Sequence, residues 1–368
     1  MTKYIFAFLL CMSIAIQSYG WGFYAHQRIN RLAVFGLPPE MIVFYKHYIL
    51  YLTENAVNPD KRRYAVDGEA PRHYIDMDVY GDSALYKLPH HWKEAVAKYT
   101  EDTLQTYGIV PWHINFMKYQ LTEAFKQKDV NRILRISADL GHYIGDAHVP
   151  LHTTENYNGQ LTGQHGIHGL WESRLPELFA ANYDFFSGTA TYLTDTQETA
   201  WQSVAGSHMA LDSVLRFEKE LTKQFAEDKK YSFEQRGNIT VRVYSQAFSK
   251  AYHRMLAGQV ERRMKASIKM VSDFWYTAWV DAGQPDLVEL TKFDFTEQEK
   301  QKLEEEKQQW EKRHVPSRPH ESGLFQLPST GITSCEHIHI IGDEGIPSIL
   351  MSVRRRKNTF SESNALFE

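Results

Sequence analysis

Residues 130–152 read VNRILRISADLGHYIGDAHVPLH, and this stretch combines the two patterns that decide the fold. Its first part spaces apolar residues at intervals of three and four, which is typical of an amphipathic helix. Its second part places His142 four residues before Asp146, so both side chains project from one face of that helix. Pro150 ends the helix and lets His152 approach the same point from a loop.

The same apolar spacing recurs along most of the chain. Pro111 stands where a helix can begin, and Gly283 with Pro285 can end a long aromatic helix. Alternating runs typical of strands are scarce before residue 330. We therefore predict an all-α fold, with a single multi-helix domain over residues 21–290. The segments predicted to be helical are 112–128, 130–148, 208–228 and 240–282.

Composition excludes several classes of protein. The chain has 368 residues, of which 43% are hydrophobic, so it can bury a full core. A formal net charge of -4 gives no basic field of the kind that indicates nucleic-acid binding by charge alone. Cys11 and Cys335 are the two cysteines, and Cys11 lies in a segment that we expect to be removed. A disulfide scaffold and a cysteine-based zinc site are therefore both excluded.

Residues 1–20 have the pattern of a signal peptide. Lys3 supplies the positive charge, an apolar run follows, and Ser18-Tyr19-Gly20 offers small residues at the cleavage site. The alternative is a retained anchor, although the run is short for a membrane span and no later segment is long enough for one. We therefore predict a secreted or periplasmic protein whose mature chain begins at Trp21.

Residues 291–368 differ in composition from the domain before them. Strong helix formers without an apolar face fill residues 296–314, which predicts a solvated helix. Stretches rich in Pro, Ser and Gly follow, together with a basic cluster at 354–357. We predict a poorly ordered C-terminal extension with no catalytic role.

Histidines and carboxylates occur at the spacing of metal ligands. His168 precedes Glu172 by four residues, which repeats the spacing of the His142 and Asp146 pair, and His152 lies between the two pairs. Imidazole and carboxylate groups are common zinc ligands. Asp60, His73 and His26 are further candidates, and the amine and carbonyl of Trp21 can chelate a metal in a five-membered ring.

Together these motifs resemble the superfamily that joins bacterial zinc-dependent phospholipase C to the S-one/P-one single-strand nucleases, over roughly residues 21–280. The resemblance implies an all-α fold with a cleft that holds three zinc ions. It implies these ligands: Trp21 and His26 for the first ion, His142, His73 and Asp60 for the second, Asp146 bridging the two, and His152, His168 and Glu172 for the third.

The two branches of the superfamily leave the substrate open. Glu172 and the fifteen-residue gap between His152 and His168 are similar to the phospholipases. The spacing of Asp60 and Arg63 is similar to the nucleases. We expect a zinc-dependent phosphodiester hydrolase that acts as a phospholipase C, with a single-strand nuclease as the alternative.

The expected reaction is an in-line attack of zinc-bound hydroxide on phosphorus. Asp60 is expected to act as a general base as well as a ligand, and Arg63 to stabilise charge on the phosphoryl group; otherwise Arg63 is a solvated member of a basic run. Tyr74 and Asp76, beside His73, are the candidate substrate-binding residues. They suit either a stacked base or a choline cation.

Two other classes remain open at this stage. A non-catalytic zinc-binding protein would need closed sites with four ligands. A zinc peptidase is disfavoured because His-Glu-x-x-His does not occur. No protein partner is evident. The histidines that match no ligand position are His90, His91, His113, His148 and His165.

Overall fold

The computed structural model describes residues 22–236 and 239–315, which form a helical domain with one small hairpin. The all-α fold predicted from the sequence is confirmed. The α-helices are α1 Gly22–Ala33, α2 Pro39–His47, α3 Ile49–Asn55, α4 Asn58–Arg62, α5 Ala84–Lys87, α6 Trp92–Tyr99, α7 Glu101–Tyr107, α8 Val110–Gln127, α9 Val130–Ala147, α10 Leu175–Phe179, α11 Thr196–Thr222, α12 Glu227–Lys230, α13 Gln246–Met255, α14 Gln259–Asp281 and α15 Glu297–Lys312.

Shorter elements connect these helices. The 3-10 helices are Val34–Gly36, Ala70–His73, Met77–Tyr80, Pro150–Thr153, Ala180–Asn182 and Glu289–Lys292, and Gly169–Arg174 is a π-helix. The strands β1 Tyr231–Arg236 and β2 Ile239–Tyr244 pair antiparallel. Within the described residues, no helix is both long and apolar enough to span a bilayer.

Helix α9 lies at the centre of the domain and packs against α1, α3, α8 and α14. Asp129 caps its first turn by accepting a hydrogen bond from the backbone nitrogen of Arg132 at 3.1 Å. On its inner face, the indole of Trp275 donates to the carbonyl of Ser137 and stacks on Tyr45 with ring centroids 4.8 Å apart. These contacts fix α9, which carries His142 and Asp146 at its carboxyl end.

The β-hairpin and the π-helix lie at a second apolar cluster and are held there by two ion pairs. Lys230, just before β1, pairs with the buried carboxylate of Glu218 at 2.7 Å and lies against surrounding aromatic rings. Arg174, the last residue of the π-helix, forms two hydrogen bonds with Glu234 of β1. The hairpin therefore braces the segment that carries His168 and Glu172.

The predicted helix over residues 240–282 was wrong in its first part. Residues 239–244 read ITVRVY and form β2, because β-branched residues that alternate with other side chains favour a strand. The remainder is divided between α13 and α14 at Gly258, whose φ of 76° lies in the left-handed region. Helix α14 then ends at Asp281, before Gly283, as the sequence predicts.

Helix α15 occupies most of the segment for which the sequence predicts a solvated helix, and no residue of it is buried. A capping box of Thr296 and Glu299 begins it. Its Glu306 pairs with Arg135 of α9 at 3.4 Å. The predicted signal peptide, Trp21 and residues 316–368 lie outside the described residues, so these boundaries remain predictions.

Candidate metal centre

Eight of the nine predicted ligands lie together, and Trp21 lies outside the described residues. They come from α1, α4, α9, the 3-10 helices Ala70–His73 and Pro150–Thr153, and the π-helix Gly169–Arg174 together with His168 just before it. All are buried, and they form three groups whose donor atoms lie within 4.8 Å of one another. The groups are His26, His142 and Asp146; Asp60, His73 and His142; and His152, His168 and Glu172.

Asp146 joins the first two groups. Its Oδ1 lies 3.3 Å from Nε2 of His26, and its Oδ2 lies 2.9 Å from Nδ1 of His73. The same Oδ2 lies 3.3 Å from Nε2 of His142. Asp60 closes the second group, with Oδ1 3.6 Å from His142 Nε2. The two oxygens of Asp146 thus face different groups, as a bridging carboxylate requires.

The third group lies around Glu172. Its Oε2 lies 2.5 Å from Nε2 of His168 and 3.3 Å from Nε2 of His152. The four-residue pair is carried by a π-helix, an element that often occurs at functional sites. Oε1 of Glu172 points toward the first group and lies 3.6 Å from Nε2 of His26. The three groups therefore form one continuous cluster.

Backbone carbonyls orient three of the histidine rings. Nδ1 of His142 lies 2.8 Å from the carbonyl of Ala56, and Nδ1 of His152 lies 2.5 Å from that of His73. Nδ1 of His168 lies 3.2 Å from the carbonyl of Tyr157. Since a carbonyl only accepts, each Nδ1 carries the proton and each Nε2 is left with a lone pair that faces the cluster.

The carboxylates of the cluster are buried and negatively charged. Burial raises the pKa of Glu172, but His168 and its neighbours hold it well below its usual range. Burial likewise raises the pKa of Asp146, and His142 and other histidines hold it well below. Burial lowers the pKa of His26, yet the facing carboxylates outweigh this and raise it to about 10. Such a cluster must be balanced by protons or by bound cations.

The donor set fits zinc. With ligand distances of about 2.1 Å, neighbouring donors in a tetrahedral zinc site lie roughly 3.4 Å apart, close to the separations of 2.9–3.7 Å in the first two groups. Nε2 of His26 and Oδ1 of Asp146 are buried, and neither has a hydrogen-bond partner among the described residues. An ion bound between them would coordinate both atoms and so satisfy their lone pairs.

The predicted catalytic and substrate residues lie beside the second group. Arg63 is the residue just after α4, is 2% exposed, and has its guanidinium carbon 5.8 Å from the ring centroid of Tyr74. Tyr74 is 6% exposed and its hydroxyl donates to the carbonyl of Thr106 at 3.3 Å. Asp76 is buried too. A buried ring presents little surface to a base, so the stacking role of Tyr74 remains a prediction.

Sequence reasoning missed Glu69, which is fully buried four residues before His73. It also missed Gly141 and Gly145, which lie next to the ligands of α9. The repeat of glycine at a spacing of four was visible in the sequence and is a signal for close helix contact. Nothing in the sequence distinguishes Glu69 from the many exposed acidic residues.

Comparisons with known proteins give one distant structural match to report. No protein-family model and no curated protein matches this chain. A crystal structure of Clostridium perfringens alpha-toxin, isolated from avian strain SWCP, matches 72% of this chain with 15% sequence identity and a TM-score of 0.38. The match spans 65% of the alpha-toxin chain. A similarity of this size carries no argument about function, which rests on the chemistry of the cluster.

Proposed function

We propose that this chain is a secreted zinc-dependent phosphodiester hydrolase with phospholipase C-like activity. One observation carries the proposal: the three donor groups are continuous, because Asp146 faces two of them and Glu172 faces His26 as well as its own group. Adjacent metal ions suit phosphoryl transfer, in which the attacking and departing oxygens both carry negative charge.

Different side chains would have different roles in such a site. Zinc, when bound, lowers the pKa of water and polarises a phosphoryl oxygen. Asp60 belongs to the second group, with Oδ1 3.7 Å from Nδ1 of His73, where its carboxylate can accept a proton from the attacking water. Arg63 follows directly after the short helix that carries Asp60, and its planar guanidinium suits phosphate oxygens.

A purely structural zinc site is less consistent with this geometry. Structural zinc is held in a closed site by four protein ligands of its own, whereas Asp146 is shared between two groups here and the third group offers three described side chains. An open position at the third group is what a reaction requires, since substrate and water must reach the ion. We therefore favour an enzyme over a zinc-storage protein.

Elemental analysis of the chain beginning at Trp21 tests the metal assignment. We expect about three zinc ions per chain, from the three donor groups. His168→Ala should lower the content toward two, because it removes one of three donors in the third group. The matched control is His165→Ala, since His165 is exposed and in none of the groups. One zinc or less in the zinc-replete wild type would refute the three-ion centre.

Assays on phosphatidylcholine and on single-stranded DNA test the substrate class. We expect release of phosphocholine, lost in parallel with zinc in His168→Ala. The nuclease alternative is favoured by the spacing of Asp60 and Arg63, and DNA cleavage without phosphocholine release would establish it. Zinc binding without hydrolysis of either substrate would contradict phosphodiester hydrolysis of these classes.

A further inference from the structure

The carboxylate of Glu69 lies at the centre of a buried ionic network behind the second donor group. Its Oε2 accepts from Nε of Arg62 at 3.0 Å and from Nη1 of Arg72 at 2.9 Å. Arg62 also pairs with Asp139 at 3.0 Å and donates to the hydroxyl of Tyr143 at 2.8 Å. Two guanidinium groups thus balance two carboxylates, and Glu69 is held in one place.

The two oxygens of Glu69 have different partners. Oε2 takes both arginines, whereas Oε1 accepts a short hydrogen bond from Tyr143 and faces Nε2 of His73 at 3.7 Å. The opposite nitrogen of that ring, Nδ1, points into the cluster, 2.9 Å from Asp146. The ring therefore lies between the network and the candidate metal.

His73 differs in this respect from the other oriented histidines. His142, His152 and His168 turn Nδ1 toward a backbone carbonyl and Nε2 toward the cluster. His73 turns Nδ1 toward the cluster, and its other nitrogen faces a carboxylate. A carboxylate that faces the outer nitrogen of a metal-binding imidazole favours the tautomer with the proton on that nitrogen. At 3.7 Å this attraction is electrostatic, since the distance exceeds that of a hydrogen bond.

We propose that Glu69 is a positioning residue of the metal centre, which keeps the proton of His73 on Nε2 and leaves Nδ1 as the metal ligand. This inference rests on the proposed zinc-dependent function. Tyr143 holds Oε1 toward the ring, and the arginines keep the carboxylate from turning away. The network therefore serves the second donor group in particular, and the group of His152, His168 and Glu172 meets it only through the backbone carbonyl of His73, which the change at Glu69 leaves in place.

The test is the zinc affinity of the metal-free protein, measured by titration with Zn²⁺ against a competing chelator. Glu69→Gln should weaken the binding of one zinc by about 10- to 100-fold, the usual effect of losing such a partner. The other ions should bind as in the wild type. Tyr143→Phe keeps the carboxylate and removes the hydroxyl that orients it, so a smaller loss at the same ion is expected.

Glu218→Gln is the matched control, because Glu218 is equally buried and ion-paired but contacts no candidate ligand. Thermal unfolding of each metal-free variant separates affinity from stability. The proposal is overturned if Glu69→Gln and Glu218→Gln lose stability alike while zinc affinity stays at the wild-type value. If Glu69→Gln does not fold, the same comparison is made with Tyr143→Phe, and an unchanged zinc affinity in that variant overturns the proposal. A wild type that binds no zinc would instead refute the proposed function.

Discussion

Gly141 and Gly145 allow the ligand-bearing helix α9 to approach α1 closely. A Cβ atom on Gly141 would lie 1.9 Å from Oδ1 of Asn30, and one on Gly145 would lie 2.9 Å from Nδ1 of His26. Asn30 cannot easily move, because its amide is fully buried and donates to the carbonyl of Ala138 at 2.9 Å. The position of His26 in the cluster therefore depends on these two glycines.

Gly141→Ala should destabilise the protein even though alanine is the better helix former. The helix preference contributes roughly 1 kcal/mol in favour of alanine, whereas forcing a group into a packed core costs up to about 3 kcal/mol. We expect a net loss of about 2 kcal/mol, measured by denaturant unfolding. Combining the change with Asn30→Ala removes the clash, so the two effects should not add. Strict additivity would contradict the assigned contact.

His148 makes the domain sensitive to acid. Burial, with help from Arg263, lowers its pKa from 6.5 to about 3. The unfolded chain takes up this proton below about pH 6.5, but the folded chain does not until about pH 3, so stability falls as the pH is lowered through that window. The slope from one such group is at most about 1.4 kcal/mol per pH unit.

We expect the free energy of unfolding of His148→Gln to fall less steeply between pH 6.5 and 3 than that of the wild type. Both proteins should be compared without metal, because acid also releases zinc from its ligands. The difference between the two slopes gives the contribution of the His148 imidazole to the pH dependence of stability. Equal slopes would mean that His148 is protonated in the folded protein as easily as in the unfolded one.

At the scale of residues, the sequence predicts the metal-binding side chains but not the buried residues that hold them in position. Pairs such as His142 and Asp146 are predictable because helix geometry brings residues four apart to one face. Asp60 and His73 were predicted as ligands from the family resemblance, because no spacing rule in the sequence relates them to the ligands of α9. The burial of Glu69 depends on packing between distant segments, which spacing alone does not show.

At the scale of elements, the helices with an unbroken apolar stripe are the most predictable, whereas the longest helix, α11, begins at Thr196, twelve residues before the predicted segment 208–228. Helices α8 and α9 match their predicted segments to within two residues, because their apolar stripes are unbroken. The short strand β2 was missed, since six residues of alternating pattern next to a helix are ambiguous. The π-helix at Gly169–Arg174 has no sequence rule of its own, although the pair that it carries was recognised.

Helix α1 would link the metal centre to the predicted removal of residues 1–20. It begins at Gly22 and carries His26, one of the first donor group. If Trp21 binds the same ion through its free amine, a chain that begins Met-Trp21 should bind two zinc ions instead of three and lose most activity. The control is a chain that begins at Trp21 and carries one extra residue at its carboxyl end. Full zinc content and turnover in the extended chain would show that the amine is not a ligand.

At the scale of the whole molecule, the described part of the C-terminal segment contacts the domain near Asp60. The backbone nitrogen of Val315 donates to the carbonyl of Tyr64 at 2.7 Å, and Arg313 pairs with Asp67 at 2.9 Å. Tyr64 and Asp67 lie on the chain that follows α4. Residues 313–315 are therefore tied to the chain just after α4, the helix that carries Asp60.

Shortening the chain tests whether residues 316–368 belong to the catalytic unit. A chain ending at Val315 retains every described contact, so its zinc content, hydrolytic rate and thermal midpoint should equal those of the full chain. A chain ending at Phe295 also loses α15, none of whose residues is buried, with its ion pair to Arg135 of α9 and the contacts of Arg313 and Val315 with the chain after α4. Because such pairs contribute about 0–1 kcal/mol each, its midpoint should fall by only a few degrees, with zinc retained. Loss of activity on the first shortening would place a functional element beyond Val315.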